Sequence, residues 1–206
     1  MEFQKIVASG KVKRSQLAKF IKTTVQGSNI ILNNLNKASQ LIQSFKNVAV
    51  DQSSESKRSF YVKEYLDEIL LSLRPKLKKT IIRSPSKDEH LQICSYPDAV
   101  SQILTNFLIN SILHAYDPDV NGTLQIRYLL ENGHMHLTYS DDGKGILPES
   151  VKKIFNPFFT TNRGDGGTGL GLHVVYNLVT QRLKGTITCE SELGKGTIFI
   201  IKWPAA

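Results

Sequence analysis

Residues 164–172 read GDGGTGLGL, five glycines in nine positions, and run directly into GLHVVYNLVTQRL, whose apolar spacing predicts a helix beginning near Leu170. Glycines let backbone amides converge on an oxyanion, and the helix start that follows adds donors without partners inside the helix. The stretch is not a Walker A loop, because it lacks the Gly-Lys-Ser/Thr ending. It is not a dinucleotide fingerprint either, since that would follow the first strand of the fold. The preceding KKIFNPFFTTNRG carries Phe155, Phe158 and Phe159, apolar anchors for a mobile lid.

Upstream, PDAVSQILTNFLINSILHAY predicts a helix opened by Pro97 at its first turn. Asn106, Asn110 and His114 recur at i, i+4 and i+8 and are expected on one face, while Ile103, Leu104, Phe107, Leu108 and Ile112 supply the core. An amide oxygen is a neutral, hard ligand suited to Mg²⁺. Ordinary caps and surface amides would give the same pattern. SDDGKGI at 140–146 follows a predicted strand, so Asp141 is held rigidly while the glycines remove side chains around it. Such a carboxylate accepts a hydrogen bond from an exocyclic amine, the group that separates adenine from guanine. A plain turn would read alike.

The rest of the chain supplies the frame. FYVKEYLDEILLSLRP predicts a short strand entering a helix that Pro75 ends, and TIIRS predicts a strand. TLQIRYLLE and HMHLTYSD alternate around Asn132-Gly133 as a hairpin, and GTITCES pairs with GTIFIIKW across the tight turn of GKGTIF. The expected fold is an α/β sandwich with a mixed sheet packed on helices. Residues 15–50 read as one long helix with Ser15 as N-cap and a stripe formed by Leu17, Phe20, Thr24, Ile31, Leu35, Ala38, Leu41, Phe45 and Val48. Residues 1–9 look like the end of an earlier helix joined through GKVKR. A helix of that length needs a partner. The polar DQSSESKRS at 51–59 reads as a hinge, dividing a helical segment, 1–50, from a larger domain, 60–206.

Composition bounds the function. The 206 residues carry a formal charge of +8, and the excess sits in residues 1–50, which hold eight Lys or Arg against Glu2. A second basic run, RPKLKKTIIRSPSK, contains no acid. A solvated surface accounts for these charges first and an acidic protein partner second. No zinc spacing or helix-turn-helix signal supports nucleic acid, and none is expected as partner. Cys94 and Cys189 form no CxxC pair and fit two reduced thiols of a cytoplasmic protein. No apolar run reaches bilayer length and the start has no signal-peptide core, so no membrane contact is expected of these residues.

Taken in order, the motifs resemble the ATP-binding domain of the sensor histidine kinases, within the superfamily shared with gyrase B, the MutL repair ATPases and the heat-shock chaperone ATPases. The resemblance covers about 60–206: an N box at Asn106–His114, glycine boxes at Asp141–Gly145, Gly166–Gly171 and Gly194–Gly196, and an F box at Phe155–Phe159. NLNKASQLIQSFKNVAVDQ resembles the second helix of that family's dimerisation and phosphotransfer hairpin. The resemblance implies ATP and Mg²⁺ as ligands, a homodimer through the 15–50 helix, and a response regulator receiver domain as partner. It implies Asn110 as the metal ligand and a catalytic residue, with Asn106 in support, and Asp141 on the adenine amine. Gly143, Gly145, Ile146 and Thr197 would line the base pocket, and Thr168, Gly169, Leu170 and Gly171 would cradle the phosphates. His114 is expected either at a phosphate, in a catalytic role, or packed. Many members carry a basic residue three positions after the metal asparagine, where this chain has Leu113.

The pattern departs at the phosphoacceptor. His90, His114, His134, His136 and His173 all lack a following acid, and none lies in 1–50. The acceptor is therefore expected upstream in a longer parent, with this chain unable to phosphorylate itself. An ATPase or a serine protein kinase on the same domain is the competing class. Water-activating relatives carry an acid four residues before the metal asparagine, where Asn106 stands here. A dimerising nucleotide-binding domain without turnover is the non-enzymatic alternative.

Overall fold

The computed structural model describes residues 13–50, 56–75, 77, 80–83, 90–117, 120–161 and 168–205. The expected early helix over 1–9, its connection, and Gly164–Gly167 of the lid lie outside the described residues. Helix α1 spans Arg14–Val50. It begins one residue before the expected cap: the Lys13 backbone N–H donates to Gln16 Oε1 at 3.1 Å, while the Lys13 carbonyl accepts from the Gln16 N–H at 3.0 Å. Lys13 is therefore the cap position and Ser15 lies in the first turn. Leu17, Phe20, Ile31 and Leu35 are exposed along α1. No helix among the described residues is long and apolar enough to cross a membrane.

Strand β1 (Arg58–Tyr61) leads into α2 (Val62–Leu73), followed by β2 (Thr80–Arg83) and β3 (Gln92–Ser95). Helix α3 (Pro97–Asn110) continues into a π turn at Ser111–Ala115. The hairpin β4 (Gly122–Glu131) and β5 (His134–Asp141) turns at Asn132 and Gly133, with φ of 50° and 73°. Both values lie in the left-handed region that a type I′ turn requires. A short helix α4 (Pro148–Val151), then α5 (Gly171–Asn177) with a π extension at Leu178–Arg182, precede β6 (Thr186–Glu192) and β7 (Gly196–Pro204). The sheet order is β2-β4-β5-β7-β6, with β2 and β4 parallel and the other pairs antiparallel, so the sheet is mixed as expected. Strands β1 and β3 form a separate antiparallel ladder.

Period-two alternation sends one face of the sheet into the helical layer. Leu124, Ile126 and Tyr128 of β4, Met135, Leu137 and Tyr139 of β5, and Phe199, Ile201 and Trp203 of β7 are buried there. From α3, Ile103, Leu104, Phe107 and Leu108 meet them, with Phe107 stacked on Phe199 at 4.4 Å between ring centroids. Burying such a side chain contributes about 1.5–3 kcal/mol each before entropy is counted. The same alternation carries Asp141 and Thr197, which are paired across β5 and β7, onto the buried face at the end of the sheet. A carboxylate is thus delivered by register to the boundary between core and surface.

Candidate functional site

The two asparagines of α3 converge on the start of α5. Asn106 donates from Nδ2 to the Gln102 carbonyl at 2.9 Å, so its amide oxygen points the other way. A Cβ added to Gly171 would lie 2.8 Å from Asn106 Oδ1 and 3.8 Å from Asn110 Oδ1. Both amide oxygens therefore face the first residue of the helix that follows the glycine-rich lid, and the bare glycine leaves them room. Neutral oxygens of this kind fit a hard divalent cation that keeps phosphate and water ligands. His114 is exposed, and partial desolvation lowers its pKa from the ordinary histidine value. It lies on the π turn that follows Asn110 and widens the helix there.

Asp141, only 8% exposed, is held from several sides. Ser111 Oγ donates to Oδ2 at 2.9 Å and the Gly143 N–H donates to Oδ1 at 3.1 Å. Burial pushes its carboxyl above the usual range, and the bonds from Ser111, Gly143 and the Thr197 backbone oppose that rise. Next to it, Asp142 Oδ1 accepts from the Thr123 N–H at 2.7 Å and from the Tyr116 hydroxyl at 3.0 Å. Desolvation would raise the Asp142 pKa, but these hydrogen bonds outweigh it and hold the carboxyl below its ordinary value. Cys189 also feels Asp141: burial, then that charge, pushes its thiol up to about 12.

The first and third glycine boxes fit against each other. A Cβ on Gly196, whose φ is +91°, would fall 1.9 Å from the Asp141 carbonyl oxygen. One on Gly145, at φ +72°, would fall 2.1 Å from that of Glu192. A Cβ on Gly143 would overlap Ala115 Cβ at 2.5 Å, so the missing atom admits the end of the helical segment that follows α3. The Lys144 N–H donates to the Ala115 carbonyl at 2.8 Å and seals that contact. Ser191 links the other side. It accepts from the Ile146 N–H at 2.8 Å, donates to the Gly196 carbonyl at 2.7 Å, and lies 3.0 Å from Thr197 Oγ1.

The base of the lid is equally tight. A Cβ on Gly169, at φ +67°, would meet the Phe158 carbonyl carbon at 2.5 Å, and Phe158 itself holds φ +65°. Phe155 packs against Tyr176 and Phe199, whereas Phe158 is exposed. Leu170 is buried, and its N–H lies 3.4 Å from Thr168 Oγ1. His173 belongs to this stem: Nδ1 lies 3.0 Å from the Phe155 carbonyl and Nε2 lies 3.2 Å from Asn177 Nδ2. A carbonyl can only accept and an amide nitrogen can only donate, so Nδ1 donates to Phe155 and Nε2 accepts from Asn177. Ser111, Tyr116, Tyr139, His173 and Ser191 are parts of this site that the sequence motifs do not mark. Ser111 adjoins Asn110 and Tyr139 lies two residues before Asp141 on the same strand face, which is the signal available for those two.

Residues 95–206 match the family described as histidine kinase-, DNA gyrase B- and HSP90-like ATPase. Sensor histidine kinase ZraS of Salmonella typhimurium is 36% identical over 137 residues, covering 66% of this chain and 28% of the relative's length. The chain thus spans under a third of that curated relative. The nucleotide-free catalytic domain of histidine kinase ThkA superposes with a TM-score of 0.64 at 25% identity, over 73% of this chain and 97% of that one. Histidine kinase ThkA in complex with response regulator protein TrrA gives a TM-score of 0.67 at 21% identity, over 100% of this chain and 64% of that one. With the N box and glycine boxes assembled as described, this chain belongs to the histidine kinase-, DNA gyrase B- and HSP90-like ATPase family and carries the ATP-binding domain of the sensor histidine kinase type.

Proposed function

We propose that this chain binds ATP with Mg²⁺ and is the phosphoryl-donating part of a protein-histidine kinase. The observation that carries the reading is the convergence of the Asn106 and Asn110 amide oxygens on Gly171, at the end of α3 that adjoins the Asp141 loop. In this reading Asn110 Oδ1 ligates the metal and Asn106 supports it. Asp141 accepts from the adenine amine, beside Gly143, Gly145, Ile146 and Thr197. Backbone N–H groups of Gly169, Leu170 and Gly171, with Thr168, hold the phosphates. Bound Mg²⁺ would neutralise phosphate charge during in-line transfer. His114, exposed on the helical turn that follows Asn110, contacts a phosphate in this reading.

The acceptor is a histidine outside these 206 residues, from which the phosphoryl group passes to an aspartate of a response regulator. The ThkA complex with a response regulator, similar in fold, supports that class of partner. The exposed apolar residues Leu17, Phe20, Ile31 and Leu35 support a homodimer through α1. Hydrolysis as the purpose is disfavoured by Asn106, because an amide cannot take a proton from water. Calorimetric titration tests the reading: ATP should bind in Mg²⁺, and Asn110→Ala should remove the magnesium-dependent part of the affinity with little change in fold. Equal magnesium dependence in the variant would reject the metal assignment. Incubation with γ-labelled ATP should leave this chain without an acid-labile, base-stable label, and such a label would reject the external acceptor.

A further inference from the structure

Behind Asp141 lies a buried polar relay that the nucleotide reading does not use. Tyr139 of β5 is fully buried, and Ser111 of the π turn after α3 is 4% exposed. Tyr139 Oη lies 2.9 Å from Ser111 Oγ and 3.3 Å from the Phe107 carbonyl, and Ser111 Oγ lies 2.9 Å from Asp141 Oδ2. An ionised carboxylate can only accept, so Ser111 donates to it and must itself accept from Tyr139. The direction of each bond is therefore fixed by its neighbour. The Tyr139 ring cannot swing away, because it packs on Phe107 at 5.1 Å between centroids.

The relay limits what Asp141 can do. A carboxylate offers about four lone-pair directions. Ser111 takes one of them on Oδ2 and the Gly143 N–H takes one on Oδ1. The directions left open are therefore set by groups rooted in the π turn after α3 and in the loop after β5, and not by the Asp141 rotamer alone. A pre-set acceptor discriminates well, because a ligand that brings another acceptor leaves two buried lone pairs facing each other.

Building on the nucleotide reading, we propose that Ser111, held by Tyr139, is a positioning residue that sets nucleobase specificity: it locks the Asp141 carboxylate so that a 6-amino purine is accepted and a 6-oxo purine is rejected. Neither hydroxyl touches the nucleotide in this arrangement. Each acts through Asp141. The signature is therefore a loss of discrimination and not a general loss of binding.

The test uses the full chain with ATP and inosine 5′-triphosphate, both with Mg²⁺, followed by calorimetric titration alongside thermal unfolding. The unmodified protein should prefer ATP. In Ser111→Ala, ATP affinity should fall about tenfold while inosine triphosphate affinity changes less than about threefold, so the ratio collapses. Tyr139→Phe, which removes one oxygen only, should move the ratio the same way by a smaller factor, and Ser111→Thr should keep it closer to the original than alanine does. Equal loss for both nucleotides, or an unchanged ratio in Ser111→Ala and Tyr139→Phe, would overturn this inference and leave the nucleotide reading standing. Failure of the unmodified chain to bind ATP, or to prefer it, would overturn that reading and this inference together.

Discussion

Gly171→Ala separates the stability of the domain from its ligand chemistry. The new methyl would stand 2.8 Å from Asn106 Oδ1, well inside the 3.4–4 Å of ordinary contact, and 3.8 Å from Asn110 Oδ1. No backbone atom outside the helix is among these near neighbours, so the strain can be relieved by turning the Asn106 amide. That rotation breaks the 2.9 Å bond to the Gln102 carbonyl, a loss of about 1 kcal/mol for a typical net hydrogen bond. Against it, alanine in place of glycine favours the helical backbone by up to ~1 kcal/mol, less at the first helical position. The two terms nearly cancel. Stability should stay within about 1 kcal/mol of the original, a shift of no more than about 2–4 °C in Tm for a chain of this size. Mg-ATP affinity should fall about tenfold or more, ~1.4 kcal/mol, because the methyl occupies the space in which both amide oxygens converge. Thermal unfolding and calorimetric titration on the same sample decide it. An unchanged Kd would refute the claim that these amides face the ligand, and a loss of several kcal/mol in stability would refute the claim that Asn106 can yield.

The turn between β6 and β7 offers an internal control. Gly194 and Gly196 both hold positive φ, but a Cβ on Gly194 meets nothing within 4 Å while one on Gly196 meets the Asp141 carbonyl oxygen at 1.9 Å. Gly194→Ala should cost about 1 kcal/mol and Gly196→Ala more than about 2, measured by urea unfolding; equal costs would show that the contact with Asp141 does not matter. Asp141→Asn should weaken ATP binding without weakening the fold at neutral pH. Because burial raises the Asp141 pKa in the folded state, the native protein holds more protons there than the unfolded chain. Ionising it therefore costs stability as pH rises from the unfolded carboxylate value through the folded one. The variant should gain on the original as pH rises above the ordinary carboxylate range in urea unfolding, and a gap that moves the other way would contradict the sign.

Much of this was legible in sequence because the decisive features are local. The Asn132-Gly133 turn, the alternation of β4, β5 and β7, and Pro97 at the start of α3 each follow from spacing that one element sets by itself. The asparagines and Asp141 could be named for the same reason. What escaped depends on contacts between elements remote in sequence. The sequence around Gly143 does not show that the space of its missing Cβ is filled by Ala115, twenty-eight positions earlier. Ser111 reads as one more helical residue, and only the pairing of β5 beside α3 shows that it holds Asp141. Ser15 lost its capping role to Lys13, whose backbone N–H donates to the Gln16 side-chain oxygen, a choice between two polar neighbours that propensity alone does not make.

The central claim is one of geometry: a single nucleotide held between the α3 asparagines and the Asp141 loop. A crystal structure of this chain with Mg²⁺ and a non-hydrolysable ATP analogue tests it most directly. The account predicts the metal on Asn110 Oδ1, the exocyclic amine within hydrogen-bond distance of the Asp141 carboxylate, and the phosphates against the backbone of Gly169–Gly171. A nucleotide bound elsewhere, or one bound there with its base away from Asp141 and its metal away from Asn110, would contradict it.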